Sequence, residues 1–365
     1  MVLQSSQVRT LNVVSGRGES TGSGRIRVVI VGNRGGTNVG QSIERVRADL
    51  IESRLIEAKN AMGGSRWLAR LSWHFAGKRP ARLRGFSKSV HRLCEGWRPC
   101  LLLTTGQAPV DRSTLRRIGD LGIVRANYLT DDPWNPAHHA PWFVDALKSY
   151  DYIFSTKRSV LDDLRRVTRA SVHYLPFGYD PTLFHSGEIA GRGGGDLGSD
   201  VLFAGGADGD RIPYIRALRS CGVHVLLYGD YWERYPETRE ITRGHADPET
   251  LRRAIRQAKV VLCLVRRANR DGSCMRTFEV PAVGACMLTE DTGEHREIFG
   301  EEGAAVLYFR SADEMVDKVR WLLARPEERR RLAAEAHRIV TEGGNTYGDR
   351  LLEILRVSGA GGSIA

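Results

Sequence analysis

Short apolar runs that close on glycine or a polar loop, each followed by a helical pattern, recur along nearly the whole chain, and this alternation leaves few folds open. Arg25-Ile-Arg-Val-Val-Ile-Val-Gly32 leads into Asn33-Arg-Gly-Gly-Thr-Asn-Val-Gly40 and a helical pattern through Ile56. Cys100-Leu-Leu-Leu-Thr-Thr-Gly106 precedes a helix over 113–121, and strands over 122–129, 150–155 and 172–175 alternate with helices over 142–149 and 160–167. The pattern restarts at Asp200-Val-Leu-Phe-Ala-Gly-Gly206 and continues through strands at 223–229, 259–265, 285–289 and 305–309. Two amphipathic helices then cover 312–324 and 327–340. Alternation of this kind predicts an α/β fold with two doubly wound, Rossmann-like domains facing a central cleft.

The boundary falls in the glycine-rich stretch Gly187–Asp200, whose composition suits a flexible connection. The reading is a disordered tail over 1–24, an N-terminal acceptor-side domain over 25–185, a linker over 186–199 and a C-terminal donor-side domain over 200–344. A helix over 345–356 returns to the first domain, and a disordered tail covers 357–365. At 365 residues the chain exceeds the size at which one core usually keeps growing.

The most informative stretch is Arg270–Gly284, RDGSCMRTFEVPAVG, read as the loop and helix between two strands. Asp271 and Glu279 lie eight positions apart, with Gly272 and Arg276 between them. A loop entering a helix after a parallel strand offers amide N–H groups and a positive dipole end to an anion. Ionised carboxylates only accept hydrogen bonds, so a pair of them suits the donor hydroxyls of a sugar diol. The same spacing also fits carboxylates that only answer a helix dipole.

Three other loops join it as candidates. The Gly35-Gly36 loop matches neither GxGxxG nor GxxxxGK[ST], which argues against a dinucleotide fingerprint and a P-loop; it is either a tight turn or a backbone that faces a ligand. Thr130-Asp-Asp-Pro-Trp-Asn-Pro-Ala-His-His-Ala140 follows a strand and supplies Asp131, Asp132, His138 and His139 as acceptor-side or catalytic groups, against the alternative of a surface loop. Gly205-Gly206, with Arg211 opening the next helix, is a second phosphate-facing loop. Asp208-Gly-Asp210 within it reads as a turn rather than a metal-holding DxD, and no metal site is expected.

No run approaches the ~18 apolar residues of a membrane span, and the start of the chain has no apolar block of signal-peptide length. The six cysteines form no CxxC pair, which with several thiols in apolar runs suggests a reducing cytoplasm. A net charge of +11 implies an anionic partner. From Met62 to Cys100 there are nine Lys or Arg and one acid, interleaved with Trp67, Leu68, Leu71, Trp73, Phe75, Phe86 and Trp97. That stretch suits peripheral contact with an anionic membrane, at the inner face, or with an anionic acceptor, and equally a solvated basic face. Nucleic acid is not expected, since no RNP, zinc-finger or KH signature is present.

The order YLPFGYDPTLF, VLFAGG, RTFEVPAVGACMLT, ADEMVDKVRWLLARPEER and NTYGDR resembles the CgeB-like, spore-maturation type glycosyltransferases, relatives of the group 1 retaining enzymes of GT-B fold. The resemblance covers about Tyr150–Leu355. It implies a glycosyltransferase that moves a sugar from a nucleotide-diphosphate sugar, UDP- or GDP-linked, to a glycan, lipid-linked or other cellular acceptor, with retention; in the absence of a convincing metal site in the sequence, no metal or other cofactor is expected. Asp271 and Glu279 would occupy the ends of the family's Glu-x7-Glu element, Glu279 on the ribose hydroxyls and Asp271, a shorter acid, toward the transferred sugar. Gly206 and Arg211 would fall in the diphosphate loop, and Arg276 in the R-x-F-E pattern. Other readings are a non-catalytic nucleotide-sugar or polyanion-binding protein of the same fold, or a GT-B-like sugar epimerase.

Overall fold

The structure is a computed structural model that describes residues 25–46, 51–63, 77–187 and 197–362. The expected tail over 1–24, most of the linker and the aromatic residues from Trp67 to Phe75 lie outside the described residues, as do 363–365 of the tail expected over 357–365, whose first two residues instead continue the last helix to Ser358.

Strands β1 (Ile26–Gly32), β2 (Ile51–Glu57), β3 (Leu101–Thr105), β4 (Val124–Leu129), β5 (Tyr152–Ser155) and β6 (Ser171–Tyr174) form a parallel sheet in the order β2-β1-β3-β4-β5-β6. Helices α1 (Val39–Glu44), α2 (Leu83–Trp97), α3 (Arg112–Asp120), α4 (Pro141–Leu147) and α5 (Leu161–Val167) alternate with them. Val28, Val29, Ile30 and Val31 are all fully buried, as expected of a strand covered on both faces. On α2 the buried positions Leu83, Phe86, Ser87, Val90, His91, Cys94 and Trp97 follow the helical period and leave the basic residues outside.

The second sheet is also parallel, in the order β11-β10-β9-β7-β8. Its strands are β7 (Ser199–Ala204), β8 (Val225–Tyr228), β9 (Ala258–Cys263), β10 (Met287–Glu290) and β11 (Leu307–Phe309). Its helices are α6 (Ile212–Ser220), α7 (Pro248–Gln257), α8 (Met275–Val283), α9 (Gly293–Phe299), α10 (Ala312–Leu323) and α11 (Pro326–Glu342).

The last helix, α12 (Tyr347–Ser358), packs on α1 and β4 of the first domain. Its entry is pinned at Tyr179, whose amide donates to the Asn345 carbonyl at 3.1 Å and whose carbonyl accepts from the Tyr347 amide at 3.0 Å. The Arg350 guanidinium, 7% exposed, donates to the carbonyls of Pro176 and Phe177. A Cβ on Gly178 would stand 2.7 Å from the Asn345 carbonyl oxygen, so only glycine lets the two segments cross this closely.

Two sequence expectations are corrected. The helical pattern through Ile56 ends at Glu44, and Ile51–Glu57 is an edge strand paired with β1 from Ile26↔Ile51 to Gly32↔Glu57. The spacing of Ile51, Leu55 and Ile56 fits both periods, and pairing with the free edge of β1 decides for the strand. Phe86 and Trp97 do not join the basic surface: both are buried, with the Trp97 ring beneath the guanidinium of Arg54 at 4.3 Å.

Candidate active site

Each sheet reverses its strand order once, between β1 and β3 in the first domain and between β7 and β9 in the second. Loops at the carboxyl ends of strands flanking such a reversal diverge and leave a crevice. Here the two crevices face each other and form a cleft of about 550 Å³. The first domain contributes the loop from Gly35 to Val39 after β1, Thr130 and Asp131 after β4, and Phe177. The second contributes Gly205, Gly206 and Arg211 after β7, His245, then Arg266, Asn269 and Asp271 after β9, and Cys274, Met275 and Arg276 where α8 begins.

Of the residues singled out from sequence, Gly35, Gly36, Asp131, Gly205, Gly206, Arg211, Asp271 and Arg276 therefore share one cleft. Gly35 and Gly36 have φ of +93° and +54°, in the left-handed region that favours glycine. The Gly205-Gly206 turn is fixed through its carbonyls: the Trp232 indole donates to Gly205 O at 2.7 Å and Arg211 to Gly206 O at 2.7 Å. Arg211 also donates to Leu264 O at 3.1 Å and lies over the Phe203 ring. Burial pulls the Arg211 and Arg276 guanidiniums below their ordinary range, and both remain charged and poorly hydrated. Such cations attract an anion more strongly than exposed ones do.

Asp271 carries an unforeseen partner. Lys157, fully buried, crosses from the first domain to place Nζ 2.6 Å from Asp271 Oδ1. Its remaining protons meet Thr130 O at 2.8 Å and Thr156 Oγ1 at 3.4 Å, while Asn269 Nδ2 donates to Asp271 Oδ1 at 3.0 Å. Burial raises the Asp271 carboxyl above its usual range, and the Lys157 ammonium opposes that rise.

The other candidates lie off the cleft wall. The Asp132 carboxylate is held by Arg270, with Nε to Oδ2 at 2.6 Å and Nη2 to Oδ1 at 3.0 Å, and Arg270 also reaches Asp163 at 2.7 Å. This group joins the two domains beside the cleft. His139 Nδ1 is 2.9 Å from Pro133 O, and the His138 amide donates to Asn135 O at 2.8 Å, so both histidines close a local turn. Gly272 packs under Glu294, whose Cδ would lie 2.5 Å from a Cβ there. Glu279 is 1% exposed and its carboxylate meets the Arg276 guanidinium one helical turn away, so it stands behind that arginine.

Sequence reasoning missed Lys157, Arg266, His245 and Asn269. Arg266 had a signal, as a cation just past an apolar strand; it lies 3.6 Å from Asp208 Oδ2 and keeps 38% of its side chain exposed. Asp208 also accepts from the Arg211 amide at 3.1 Å, which makes Asp208–Asp210 a turn. No group of three or more His, Cys, Asp or Glu suited to a metal occurs among the described residues.

A second crevice of about 240 Å³ opens from the first domain's own strand reversal, lined by Asn33, Thr105, Gly106 and Gln107. It shares Asn38, Val39, Thr130 and Asp131 with the main cleft.

Two parallel Rossmann-like sheets meeting across such a cleft, with the last helix returned to the first domain, constitute the GT-B fold. Residues 211–356 match the family model described as glycosyl transferase-like. No curated protein sequence matches the chain. Among solved structures, sucrose-phosphate synthase of Thermosynechococcus elongatus is similar at a TM-score of 0.64 and 14% identity, over 92% of this chain and 100% of that one. The Anabaena protein HepE, in complex with UDP-glucose, aligns at 0.60 and 12% identity over 91% and 99%. The UDP-GlcNAc 2-epimerase of Neisseria meningitidis, bound to UDP-GlcNAc, aligns at 0.50 and 10% identity over 91% and 100%.

Proposed function

We propose that the protein is a glycosyltransferase of the CgeB-like type that takes a nucleotide-diphosphate sugar in the interdomain cleft. The observation that carries this reading is the convergence of the Gly205-Gly206 turn, Arg211, Arg266 and the first turn of α8 with Arg276 on one wall, opposite the Gly35-Gly36 loop. Cleavage of a glycosyl–phosphate bond develops negative charge on the leaving diphosphate, and fixed guanidiniums and helix-start amides stabilise it. Arg266 and Arg276 would hold the diphosphate, with no metal or other cofactor required, and the sugar would lie toward Asp271 and Asp131. The acceptor, a glycan or lipid-linked molecule, would enter through the smaller crevice beside Thr105–Gln107. Transfer is with retention.

A groove of about 520 Å³ on the first domain, lined by Arg79, Arg84, Lys88, Arg116 and Arg117 and also by Asp111 and an Arg112–Asp145 ion pair, is basic on balance and supports a cytoplasmic protein that rests on the anionic inner face of a membrane. The UDP-sugars bound to HepE and to the Neisseria epimerase support a UDP-linked donor, with GDP-linked sugars as the alternative.

Calorimetry with UDP, GDP and their sugar conjugates tests the reading. One nucleotide should bind, and Arg266→Ala should weaken it roughly tenfold or more, the scale of one hydrogen bond to a charged group. Equal binding by the variant, or none by the parent, overturns it. The epimerase fold at comparable coverage favours a second reading, which would be supported by conversion of the nucleotide sugar without any acceptor.

A further inference from the structure

Cys274 caps the N-terminus of α8 on the cleft wall, and its Sγ is 3.6 Å from the Sγ of Cys263, the last residue of β9. Both thiols are free. Their situations differ. Cys263 is 1% exposed, packed against Thr277 with Sγ 3.8 Å from Oγ1, and its backbone carbonyl accepts from Thr289 Oγ1. Cys274 is half-buried and lines the open cleft.

We infer that Cys274 is an oxidation-sensitive thiol on the cleft wall, with Cys263 as the thiol that resolves it to a disulfide. The oxidant is a small peroxide able to enter the cleft. The Cys274 thiolate attacks one peroxide oxygen: an S–O bond forms, the O–O bond breaks, sulfur is oxidised to a sulfenic acid and the other oxygen leaves as hydroxide. Cys263 then attacks the Cys274 sulfur. The S–S bond forms as the S–O bond breaks, and the Cys263 proton leaves with the hydroxyl as water. A dithiol reverses the process by exchange at Cys274, the sulfur it can reach.

Three features support this assignment. Closing from 3.6 Å to the ~2.05 Å of a disulfide needs an approach of about 1.5 Å, within the reach of a loop residue at a helix start. The groups facing Cys274 favour the thiolate on that sulfur of the pair: a hydrogen bond from Cys263, whose own thiol is pushed up, draws the Cys274 thiol below its ordinary value, the Thr277 amide and Arg276 act in the same sense, and burial and Asp271 oppose them. By contrast, burial pushes the thiols of Cys94 and Cys286 up to about 12, where little thiolate forms. Once oxidised, Cys274 no longer offers a thiolate to the first turn of α8, and the wall bearing Met275 and Arg276 is tied to the end of β9. That the disulfide would lower donor affinity rests on the function proposed above; its formation does not.

The test is peroxide titration of the full chain followed by intact mass and peptide mapping, which needs no nucleotide. The parent should lose two hydrogens, yield a linked Cys263–Cys274 peptide pair and recover with a dithiol. Cys263→Ser should instead gain one oxygen at Cys274, trapped by a cyclic 1,3-diketone, and Cys274→Ser should leave Cys263 reduced. Oxidation confined to Cys100 or Cys221, or a doubly oxygenated Cys274 beside a reduced Cys263 in the parent, overturns the inference. Mapping the parent decides the matter even if a variant misfolds.

Discussion

Lys157 and Asp271 make the sharpest test of how the two domains are held. Replacing Lys157 with methionine keeps the aliphatic volume and removes the charge, leaving a carboxylate whose side chain is 9% exposed with its paired cation gone and Asn269 Nδ2 still donating to it. Breaking a buried pair in this way typically costs about 3–5 kcal/mol. Protonation sets a bound on it. From an ordinary value of 3.8 the carboxyl can be neutralised at pH 7 for about 4 kcal/mol, and at pH 5 for about 2 kcal/mol, at 1.36 kcal/mol per unit. The folded protein raises this carboxyl, so the stability its neutral form contributes is complete below 3.8 and is lost as pH rises through the folded value. Removing Lys157 extends that loss upward, so the penalty must grow with pH. Thermal melts should show Lys157→Met lowered by roughly 5 °C at pH 7 and by about half that at pH 5, at ~1.3 °C per kcal/mol for a chain of 365 residues. Lys157→Met with Asp271→Asn should recover most of the difference at pH 7. A single-variant change below about 1 kcal/mol, or one equal at both pH values, would refute a buried interdomain pair that holds the fold.

Three further outcomes follow. Arg270→Ala strands the buried Asp132 carboxylate, and because the guanidinium is 36% exposed the expected loss is about 2 kcal/mol in chemical denaturation, with Arg270→Lys recovering little since a single ammonium cannot bridge both oxygens. His295 is buried neutral, with Nδ1 2.9 Å from Glu290 O and Nε2 3.0 Å from Thr277 Oγ1, and burial pulls it down to about 4. Its contribution is present above 6.5 and lost as pH falls through about 4, so on the order of 3 kcal/mol of acid sensitivity should disappear from the pH-dependent melts of His295→Gln. In Gly40→Ala the new Cβ would lie 2.9 Å from the Gly32 Cα, backbone against backbone, and melts should register a loss of about 1–3 kcal/mol.

The alternation of apolar runs was enough to foresee both sheets, because strands buried on two faces must be apolar throughout and the helices between them must alternate. Ile51–Glu57 escaped because an edge strand carries polar residues on a spacing that also fits a helix. Within the site, glycines after strands and the loop at Asp271 were legible, since strand ends at a reversal of order have one place to go. Lys157 was not: in Ser155-Thr-Lys-Arg-Ser159 it reads as one of two surface cations, and only the meeting of the segment after β5 with Asp271 of the second domain accounts for its burial while Arg158 stays outside. Asp132 was over-read for the same reason. Nothing local distinguishes the carboxylate that faces a cleft from its neighbour that binds an arginine 138 positions away.

One loop, from Leu264 to Cys274, connects these observations. It carries Arg266, Asn269 and Asp271 on the cleft wall, Arg270 in the latch to Asp132 and Asp163, and Cys274 as the cap of α8. Its other contacts with the first domain are also polar, such as Ser159 Oγ donating to Arg270 O at 2.7 Å. A ligand bridging the two walls of the cleft therefore stabilises the same docked arrangement that the latch stabilises. The two are coupled through one equilibrium, and apparent affinity falls with the fraction of molecules that are docked. Arg270 lies off the cleft wall, yet its removal must weaken any ligand that needs both walls while leaving unchanged one that needs only the second domain. Comparing a nucleoside diphosphate with its sugar conjugate on Arg270→Ala thus separates contacts made by one wall from those that depend on closure.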